Sequence, residues 1–315
     1  MTNKMKAVVA TGYGSPEVLQ LRKVNKPQPN KNEVLIKIHA TSVTASDILI
    51  RGLNAPLIYK LIVQLAFGFG KPRNPILGMV VSGTIAGKGK NVTKFNPGDE
   101  VFAYCSMSPM KHRFGSYAEY ICLPQDWNLA LKPTNISFEE AAAIPYGGLL
   151  AAHLMKKTNI TKGDKVLIYG ASGSIGTMAL QMAKDAGAIV TSVCSRKNFE
   201  LVKSLGSDEV IDYTASNAES QLETYQYVID AVGNSKSSVL KAKSKQAINK
   251  GGKYLSIDQG TPTTPKTAFL MLKKLVEQGK LKPVIDRVYP LEEMVAAHRY
   301  VEGGHKRGNV VVLTA

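Results

Sequence analysis

Cysteine is scarce in this chain, and long apolar runs are lacking. The three cysteines among 315 residues, Cys105, Cys122 and Cys194, are widely spaced and form no CxxC pair. An odd, scattered set argues against a disulfide framework and favours reduced thiols. No apolar run approaches the ~20 residues that a membrane-spanning helix needs. The start, MTNKMKAVVA, lacks the long apolar segment of a signal peptide, so we expect a cytoplasmic protein.

Acidic residues are fewer than basic ones. The chain has 24 Asp and Glu and 40 Lys and Arg, which gives a net charge of +16. Such a charge suits nucleic acid, an anionic membrane surface or a multiply anionic small molecule. The basic residues are scattered, and no Arg-rich run is interleaved with aromatic residues. We therefore expect no nucleic-acid partner. A weak electrostatic association with membranes stays open, beside a simple solvated surface.

The first 125 residues have the pattern of a β-rich region. Short apolar runs with β-branched residues lie between turn residues, which predicts strands and a compact, partly open barrel. The predicted strands are 6–9, 33–40, 76–87 and 116–124, and the segment 96–104 predicts a turn followed by a further strand. The apolar stretch 57–69 predicts a buried or lid helix, with membrane insertion as the alternative.

From about Phe138 onward, strand and helix patterns alternate. Ser137, with Glu140 three residues later, predicts a capped helix over 137–155. Strands separated by helical patterns imply βαβ units and a parallel sheet, hence an α/β fold. The predicted strands are 165–169, 189–193, 209–211, 227–232, 254–257 and, at the end, 309–313. The predicted helices are 177–186, 199–205, 267–279 and 291–300.

Residues 170–176 form a glycine-rich turn, GASGSIG, directly between the strand pattern KVLIY and the helix pattern TMALQMAKDAG. Glycines let the backbone approach a pyrophosphate, and the following helix offers N–H groups and the positive end of its dipole. In this setting the motif predicts a dinucleotide site; the alternative is a tight turn only. The candidate cofactor-binding residues are Gly170, Ala171, Ser172, Gly173, Ser174, Ile175 and Gly176.

The end of the next strand indicates which dinucleotide binds. An NAD site normally places Asp or Glu about 20 residues beyond the glycine motif, on the ribose 2′-hydroxyl. Here the chain has Ser195, Arg196 and Lys197. A hydroxyl and a guanidinium bind a 2′-phosphate, which a carboxylate would repel. Ser195 and Arg196 therefore predict NADPH; alternatively, Arg196 and Lys197 are exposed residues at the start of a helix.

These motifs resemble the zinc-free medium-chain dehydrogenases/reductases, in the branch of quinone oxidoreductases and 2-alkenal (enone) reductases. The resemblance covers nearly the whole chain, with MKAVV, NEVLIKIHATSVTASD, PGDEVFAY, AAAIPYGGLLAAHLM, LGSDEVIDY, VIDAVG and GGHKRGNVVVL. It implies a GroES-like β-barrel catalytic domain, formed by residues 1–125 and 267–315, around a Rossmann parallel-sheet domain of residues 126–266. It also implies NADPH, a cleft between the domains, often a homodimer, and cofactor contacts from Tyr213 in IDY and Val232 in VIDAVG.

Departures from the related zinc enzymes matter equally. Zinc alcohol dehydrogenases have Cys at the place of Thr44 and His at the place of Met79, and neither residue here supplies the thiolate or imidazole that zinc needs. We therefore expect no metal. The quinone oxidoreductase branch often has Asn at the place of Thr44 as well. The branch also often has Tyr, Thr and Lys at three further positions, where this chain has Leu49, Leu150 and Asn309 respectively.

The sequence thus favours hydride transfer from NADPH to a small electrophilic acceptor, a quinone or an α,β-unsaturated carbonyl. The cofactor carries the difficult chemistry, and the protein positions it. Thr44 and Ser46 are the candidate catalytic residues, as hydroxyls that hold the acceptor's oxyanion. The alternatives are a simple carbonyl reductase, and an NADPH-binding regulatory or membrane-surface protein with little turnover, because a fold alone does not establish turnover.

Overall fold

The chain forms two compact units in a computed structural model that describes residues 3–53, 57–108, 111–235, 238–260 and 262–314. The first unit comprises residues 1–145 and 285–315, and the second comprises residues 146–284. The domain boundaries predicted from the sequence, near residues 125 and 266, stay predictions. In the described residues, no helix is long and apolar enough to cross a membrane.

In chain order, the strands are β1 (Lys4–Ala10), β2 (Leu19–Asn25), β3 (Glu33–Val43), β4 (Val80–Lys88), β5 (Glu100–Tyr104), β6 (Ser106–Ser108), β7 (Lys111–His112), β8 (Tyr120–Pro124), β9 (Asn128–Leu131), β10 (Lys165–Tyr169), β11 (Ile189–Cys194), β12 (Glu209–Asp212), β13 (Tyr225–Asp230), β14 (Ile248–Ser256), β15 (Ile285–Pro290) and β16 (Asn309–Leu313).

The α-helices, also in chain order, are α1 (Ala45–Gly52), α2 (Leu57–Phe67), α3 (Phe138–Ala142), α4 (Pro145–Met155), α5 (Ser174–Asp185), α6 (Phe199–Ser204), α7 (Val239–Gln246), α8 (Lys266–Glu277) and α9 (Met294–Glu302). The predicted capping box is confirmed, since Glu140 N–H donates to Ser137 Oγ and Ser137 N–H donates to Glu140 Oε2. The prediction of a single helix over 137–155 is wrong. The helix is interrupted at residues 143–144, and α4 begins at Pro145, whose ring nitrogen has no N–H to donate to a continuous helix.

The first unit is built on a sheet with the order β15-β16-β3-β4-β5-β9, in which β8 also pairs with β3. Its pairings are antiparallel except for β15 with β16. The long central strand β3 buries most of its side chains, in agreement with its almost continuous apolar pattern. The β-rich first region is therefore confirmed, although the pattern missed β2, β9 and the edge strand β15.

The second unit contains the predicted parallel sheet, in the order β12-β11-β10-β13-β14. Helix α5 connects β10 to β11, and α6 connects β11 to β12. A parallel sheet with such helical connections has the Rossmann arrangement, so the predicted fold class is confirmed. One strand prediction is shifted, because β13 ends at Asp230 and not at residue 232. The Asp230 carboxylate accepts the N–H groups of Val232 and Gly233, each at 3.1 Å, and this turn ends the strand.

Candidate functional site

The glycine-rich turn lies in the second unit, at the carboxyl end of β10. Gly170 has a φ of +80°, a region that suits glycine, and it turns the chain away from Tyr169. The N–H groups of Gly170 and Ala171 both donate to the Val193 carbonyl at the end of β11, at 3.0 and 3.1 Å. Since β11 and β13 flank β10 on opposite sides, the turn lies where the strand order reverses, which is where doubly wound sheets bind ligands.

The helix that follows the turn begins without a side-chain cap. Gly173 is the N-cap residue of α5, with φ −82° and ψ 176°, and the first turn of this helix carries no acidic residue. The first N–H groups of a helix have no intrahelical acceptor, and the helix dipole adds a partial positive charge there. The start of α5 therefore suits the pyrophosphate of a dinucleotide.

The three glycines of the motif have different steric roles. A Cβ atom on Gly176 would lie 2.2 Å from the Gly170 carbonyl oxygen and 2.7 Å from the Ala171 Cα atom, so the turn itself requires glycine there. A Cβ atom on Gly173 would meet only the Gly170 carbonyl oxygen, at 3.5 Å, an ordinary van der Waals contact. Gly173 therefore leaves open space beside the start of α5, as close approach of a pyrophosphate needs.

This difference gives a paired prediction for two alanine variants. Gly173→Ala should fold with an unchanged Tm but bind NADPH and NADH about 10- to 100-fold more weakly, because its methyl group fills the open space. Gly176→Ala should lose about 1–3 kcal/mol of unfolding free energy, because its methyl group meets the backbone. Thermal unfolding and cofactor titration of both variants check this. Unchanged cofactor binding in Gly173→Ala would contradict the assignment.

The residues predicted to read the ribose lie at the carboxyl ends of β11 and β12. Cys194 pairs with Asp212, and the Tyr213 N–H donates to the Cys194 carbonyl at 3.3 Å. Ser195 and Tyr213 are therefore neighbours across the two strand ends. Arg196 and Tyr213 are both exposed. Ser195, Arg196 and Tyr213 thus occupy the strand ends where a Rossmann fold reads the adenosine ribose.

Asn198 joins this region to the glycine-rich turn, although no motif in the sequence predicted it. Its Nδ2 atom donates to Ser172 Oγ at 3.0 Å and to Ser195 Oγ at 3.2 Å, so it links the loops that follow β10 and β11. The side chain is buried, and its Oδ1 atom has no hydrogen-bond partner in the described part of the chain. An unpaired buried acceptor is costly, which is a reason to expect a ligand there. The one signal in the sequence was the position of Asn198 itself, a small polar residue three positions after Ser195.

Val232 packs against the turn from the other side of β10. A Cβ atom on Gly170 would lie 2.4 Å from Val232 Cγ1, so the loops after β10 and β13 are in close contact. Asp230 fixes the Val232 loop, because its carboxylate also accepts from Lys241 Nζ at 2.8 Å and from the Tyr254 hydroxyl at 2.7 Å. The candidate cofactor residues of the second unit are thus held together by packing and hydrogen bonds.

The candidate catalytic residues belong to the first unit, where β3 leads into α1. Thr44 is buried and caps α1, and Ser46 is half-buried in its first turn. Thr44 Oγ1 donates its proton to Asp47 Oδ2 at 2.6 Å, and the Thr44 N–H donates to the same oxygen at 2.9 Å. In this arrangement the Thr44 hydroxyl proton is directed into the protein. The catalytic roles of Thr44 and Ser46 stay predictions.

Asp47 is part of a buried polar cluster. Burial raises the pKa of its carboxyl group to about 6, although hydrogen bonds from Thr44 partly offset the effect. The Tyr117 hydroxyl lies 3.2 Å from His298 Nε2, and burial and the charge of Asp47 raise the pKa of Tyr117 well above its usual value. Burial, together with the nearby Arg51, lowers the pKa of His298 to about 3, so the imidazole is neutral at pH 7. The cluster therefore combines a neutral imidazole and a neutral phenol with the Asp47 carboxyl group, whose Oδ2 atom accepts from Thr44 at the start of α1.

The side chains do not fit a zinc ion. Thr44 and the buried Met79 occupy the two positions at which zinc dehydrogenases have ligands. Throughout the described ranges, no group of three or more His, Cys, Asp or Glu side chains is arranged to hold a metal ion. Burial raises the pKa of the Cys105 thiol to about 12, which disfavours the thiolate that binds metal.

Comparisons with known proteins agree with this architecture. Residues 30–134 match the alcohol dehydrogenase GroES-like domain family, and residues 174–281 and 261–312 match two zinc-binding dehydrogenase families. A mitochondrial NAD(P)H oxidoreductase of Mus musculus is 33% identical, over 98% of this chain and 89% of its own length. A chloroplastic NADPH-dependent alkenal/one oxidoreductase of Arabidopsis thaliana is 32% identical, over 98% of this chain and 79% of its own length.

A solved structure has a similar fold. The quinone oxidoreductase from Coxiella burnetii has a TM-score of 0.80 and 28% identity, over 99% of this chain and 100% of that chain. The resemblance expected from the motifs is therefore confirmed at the level of the family. This chain belongs to the medium-chain dehydrogenase/reductase family, in its quinone oxidoreductase branch, and is an oxidoreductase that uses a nicotinamide cofactor.

Proposed function

We propose that this protein is a zinc-independent oxidoreductase that transfers hydride from NADPH to a quinone or an α,β-unsaturated carbonyl. The observation that carries the proposal is the uncapped start of α5, with an open face at Gly173 and no carboxylate among Ser195, Arg196 and Lys197. Together they form a site for a pyrophosphate and for a phosphorylated ribose.

The acceptor class is proposed from the relatives. The Arabidopsis relative is named for alkenals and alkenones, and a relative from Solanum lycopersicum, 32% identical over 98% of this chain, is a 2-methylene-furan-3-one reductase. Both names describe a carbonyl compound with a carbon–carbon double bond, and in a 2-methylene-furan-3-one that bond is conjugated with the carbonyl group. We extend this chemistry to the present chain because the identities cover nearly all of it.

The bound nicotinamide would supply the hydride, and the residues of this chain bind and orient the reactants. The start of α5 binds the pyrophosphate, while Ser195, Arg196 and Tyr213 bind the ribose phosphate. Asn198 positions Ser172 and Ser195 through its two hydrogen bonds. Each serine hydroxyl can both donate and accept a hydrogen bond. The Asn198 amide can therefore also bind the two serines after a 180° flip, with Oδ1 as the acceptor, which would present its N–H₂ group to a phosphate.

Ser46 and Thr44 are proposed to contact the acceptor's oxygen. Thr44 can donate to that oxygen only when its proton is released from Asp47, by protonation of this carboxyl group or by rotation of the hydroxyl. With the pKa of Asp47 raised to about 6, the carboxylate form predominates at pH 7 and keeps the Thr44 proton. Ser46, in the first turn of α1, is the second candidate for this contact.

The proposal is tested by following NADPH oxidation with a simple benzoquinone and with an alkenal. We expect turnover with at least one of them, and loss of turnover in the folded Gly173→Ala variant. Tight NADPH binding without turnover on any quinone or alkenal would instead support a regulatory role.

Zinc independence gives its own prediction. The purified protein should contain no stoichiometric zinc, and incubation with a chelator should leave NADPH oxidation unchanged, because the residues at positions 44 and 79 are Thr and Met. Elemental analysis and activity before and after chelation provide the measurement. About one zinc ion per chain, lost together with activity, would contradict the prediction.

A further inference from the structure

An exposed apolar surface lies along α2 in the first unit. Leu61 and Leu65 are 47% and 60% exposed, and Phe69, two residues beyond the helix, is 61% exposed. Leu61 and Leu65 are four residues apart and therefore lie on one face of the helix. We call Leu61, Leu65 and Phe69 the α2 surface. Large apolar side chains grouped in this way usually mark a contact with a partner.

The carboxyl end of α2 is anchored to the rest of its unit. The Phe67 ring lies 4.8 Å from the His112 ring and 5.2 Å from the Phe114 ring, measured between centroids. The Tyr13 hydroxyl donates to the Gly68 carbonyl at 2.8 Å, and Arg73 donates to the Leu65 carbonyl at 3.0 Å. The α2 surface is therefore presented on a helix that these contacts hold in place.

The stretch of sequence that contains α2 carries charge of one sign. Between Asp47 and Asp99 the chain contains no acidic residue, while its basic residues there are Arg51, Lys60, Lys71, Arg73, Lys88, Lys90 and Lys94. Lys60 lies on α2 itself and is exposed, as are Lys71 and Arg73 just beyond it. Leucine and phenylalanine flanked by exposed lysine and arginine suit the headgroup region of a bilayer that contains anionic lipid.

Self-association is the less favourable use of this surface. A second copy docked face to face would bring Lys60, Lys71 and Arg73 near the same residues of its partner, and like charges repel. An anionic lipid surface instead neutralises these charges while it covers the apolar side chains. We propose that the α2 surface docks this protein onto an anionic lipid bilayer, with Leu61, Leu65 and Phe69 in the headgroup region.

Vesicle flotation tests the proposal without assuming the enzymatic activity. The full chain should float with phosphatidylcholine vesicles that contain phosphatidylserine, and much less with vesicles of phosphatidylcholine alone. High salt should reduce the bound fraction, because it screens the lysine and arginine charges. Equal binding to both vesicles, or binding to neither, would overturn the proposal.

Two sets of variants separate the apolar and the electrostatic parts. Lys60→Gln with Lys71→Gln should weaken binding by about 30-fold, since one lysine near an anionic surface contributes about fivefold. Its matched control is Lys23→Gln with Lys31→Gln, which removes two exposed lysines elsewhere in the same unit and should have little effect. Leu61→Gln, Leu65→Gln and Phe69→Gln together should weaken binding by about tenfold or more.

The control for the apolar set is Leu21→Gln with Leu131→Gln. These two leucines are 42% and 49% exposed and lie on β2 and β9 of the same unit. An unchanged Tm shows that each variant folds. If the α2 and control variants lose vesicle binding equally, the docking surface is wrong. Concentration-dependent dimerisation that disappears in the α2 variant would show that a second copy covers this surface, and would also overturn the proposal.

Discussion

Arg196→Ala is expected to weaken NADPH binding by about 10- to 100-fold, because a hydrogen bond to a charged group contributes about 1.5–3 kcal/mol. Arg196 is exposed directly after Ser195, at the end of β11, where the 2′-phosphate of the cofactor is proposed to bind. NADH has a hydroxyl group in place of that phosphate. Its affinity should therefore barely change.

Fluorescence titration of the wild type and the variant with NADPH and NADH gives the four affinities that this prediction needs. Lys197→Ala is the matched control, since Lys197 is the next residue and is also exposed. We expect a clearly smaller loss of NADPH affinity for this control. If Arg196→Ala weakens NADPH and NADH equally, Arg196 supports the loop and does not read the phosphate.

How far the sequence predicted the second unit depended on how local each signal was. The β10–turn–α5 segment was predicted because its strand, glycines and helix are contiguous, and because the turn itself requires glycine at Gly170 and Gly176. Asn198 was missed because its partners, Ser172 and Ser195, come together only when β10 and β11 pair. The end of β13 was misplaced because the Asp230 side chain, and not the apolar pattern, ends that strand.

The first unit shows the same limit. Its long apolar strands were predicted, whereas β15 was missed because it is a half-exposed edge strand with a mixed pattern. The sequence placed Thr44 and Ser46 beside each other as equivalent hydroxyls. The structure separates them, since Thr44 caps α1 and gives its proton to Asp47. Such a difference depends on side-chain geometry, which residue types and spacing do not encode.

Conjugated acceptors are expected to be reduced much faster than isolated ketones and saturated aldehydes. Hydride addition to an isolated carbonyl gives an alkoxide, whose basicity is close to that of hydroxide, with a water pKa of about 15.7. Zinc dehydrogenases stabilise this charge with a Lewis acid, and the side chains at positions 44 and 79 do not fit zinc. We therefore expect an isolated ketone to be a demanding substrate for this chain.

Hydride addition to a quinone instead gives a phenolate-like anion, with a pKa of about 10 if tyrosine is the guide. The difference of about 6 pKa units corresponds to roughly 8 kcal/mol of intrinsic anion stabilisation. Only part of it lowers the barrier, yet it is large beside a few hydrogen bonds. An enone lies between these limits, because its enolate spreads charge over oxygen and carbon. Backbone N–H groups or hydroxyls such as Ser46 can then suffice for the oxyanion.

The measurement is kcat/KM with NADPH for a quinone, an enone and the saturated ketone of the same size. We expect the order quinone, enone, ketone, with the ketone slower than the enone by orders of magnitude. Ser46→Ala is the informative variant, because a hydroxyl that contacts the oxyanion should matter more for the enone than for the quinone, whose anion is already stable. A saturated ketone that is reduced as fast as the other two would show that this chain stabilises an alkoxide by other means, and the proposed mechanism would be wrong.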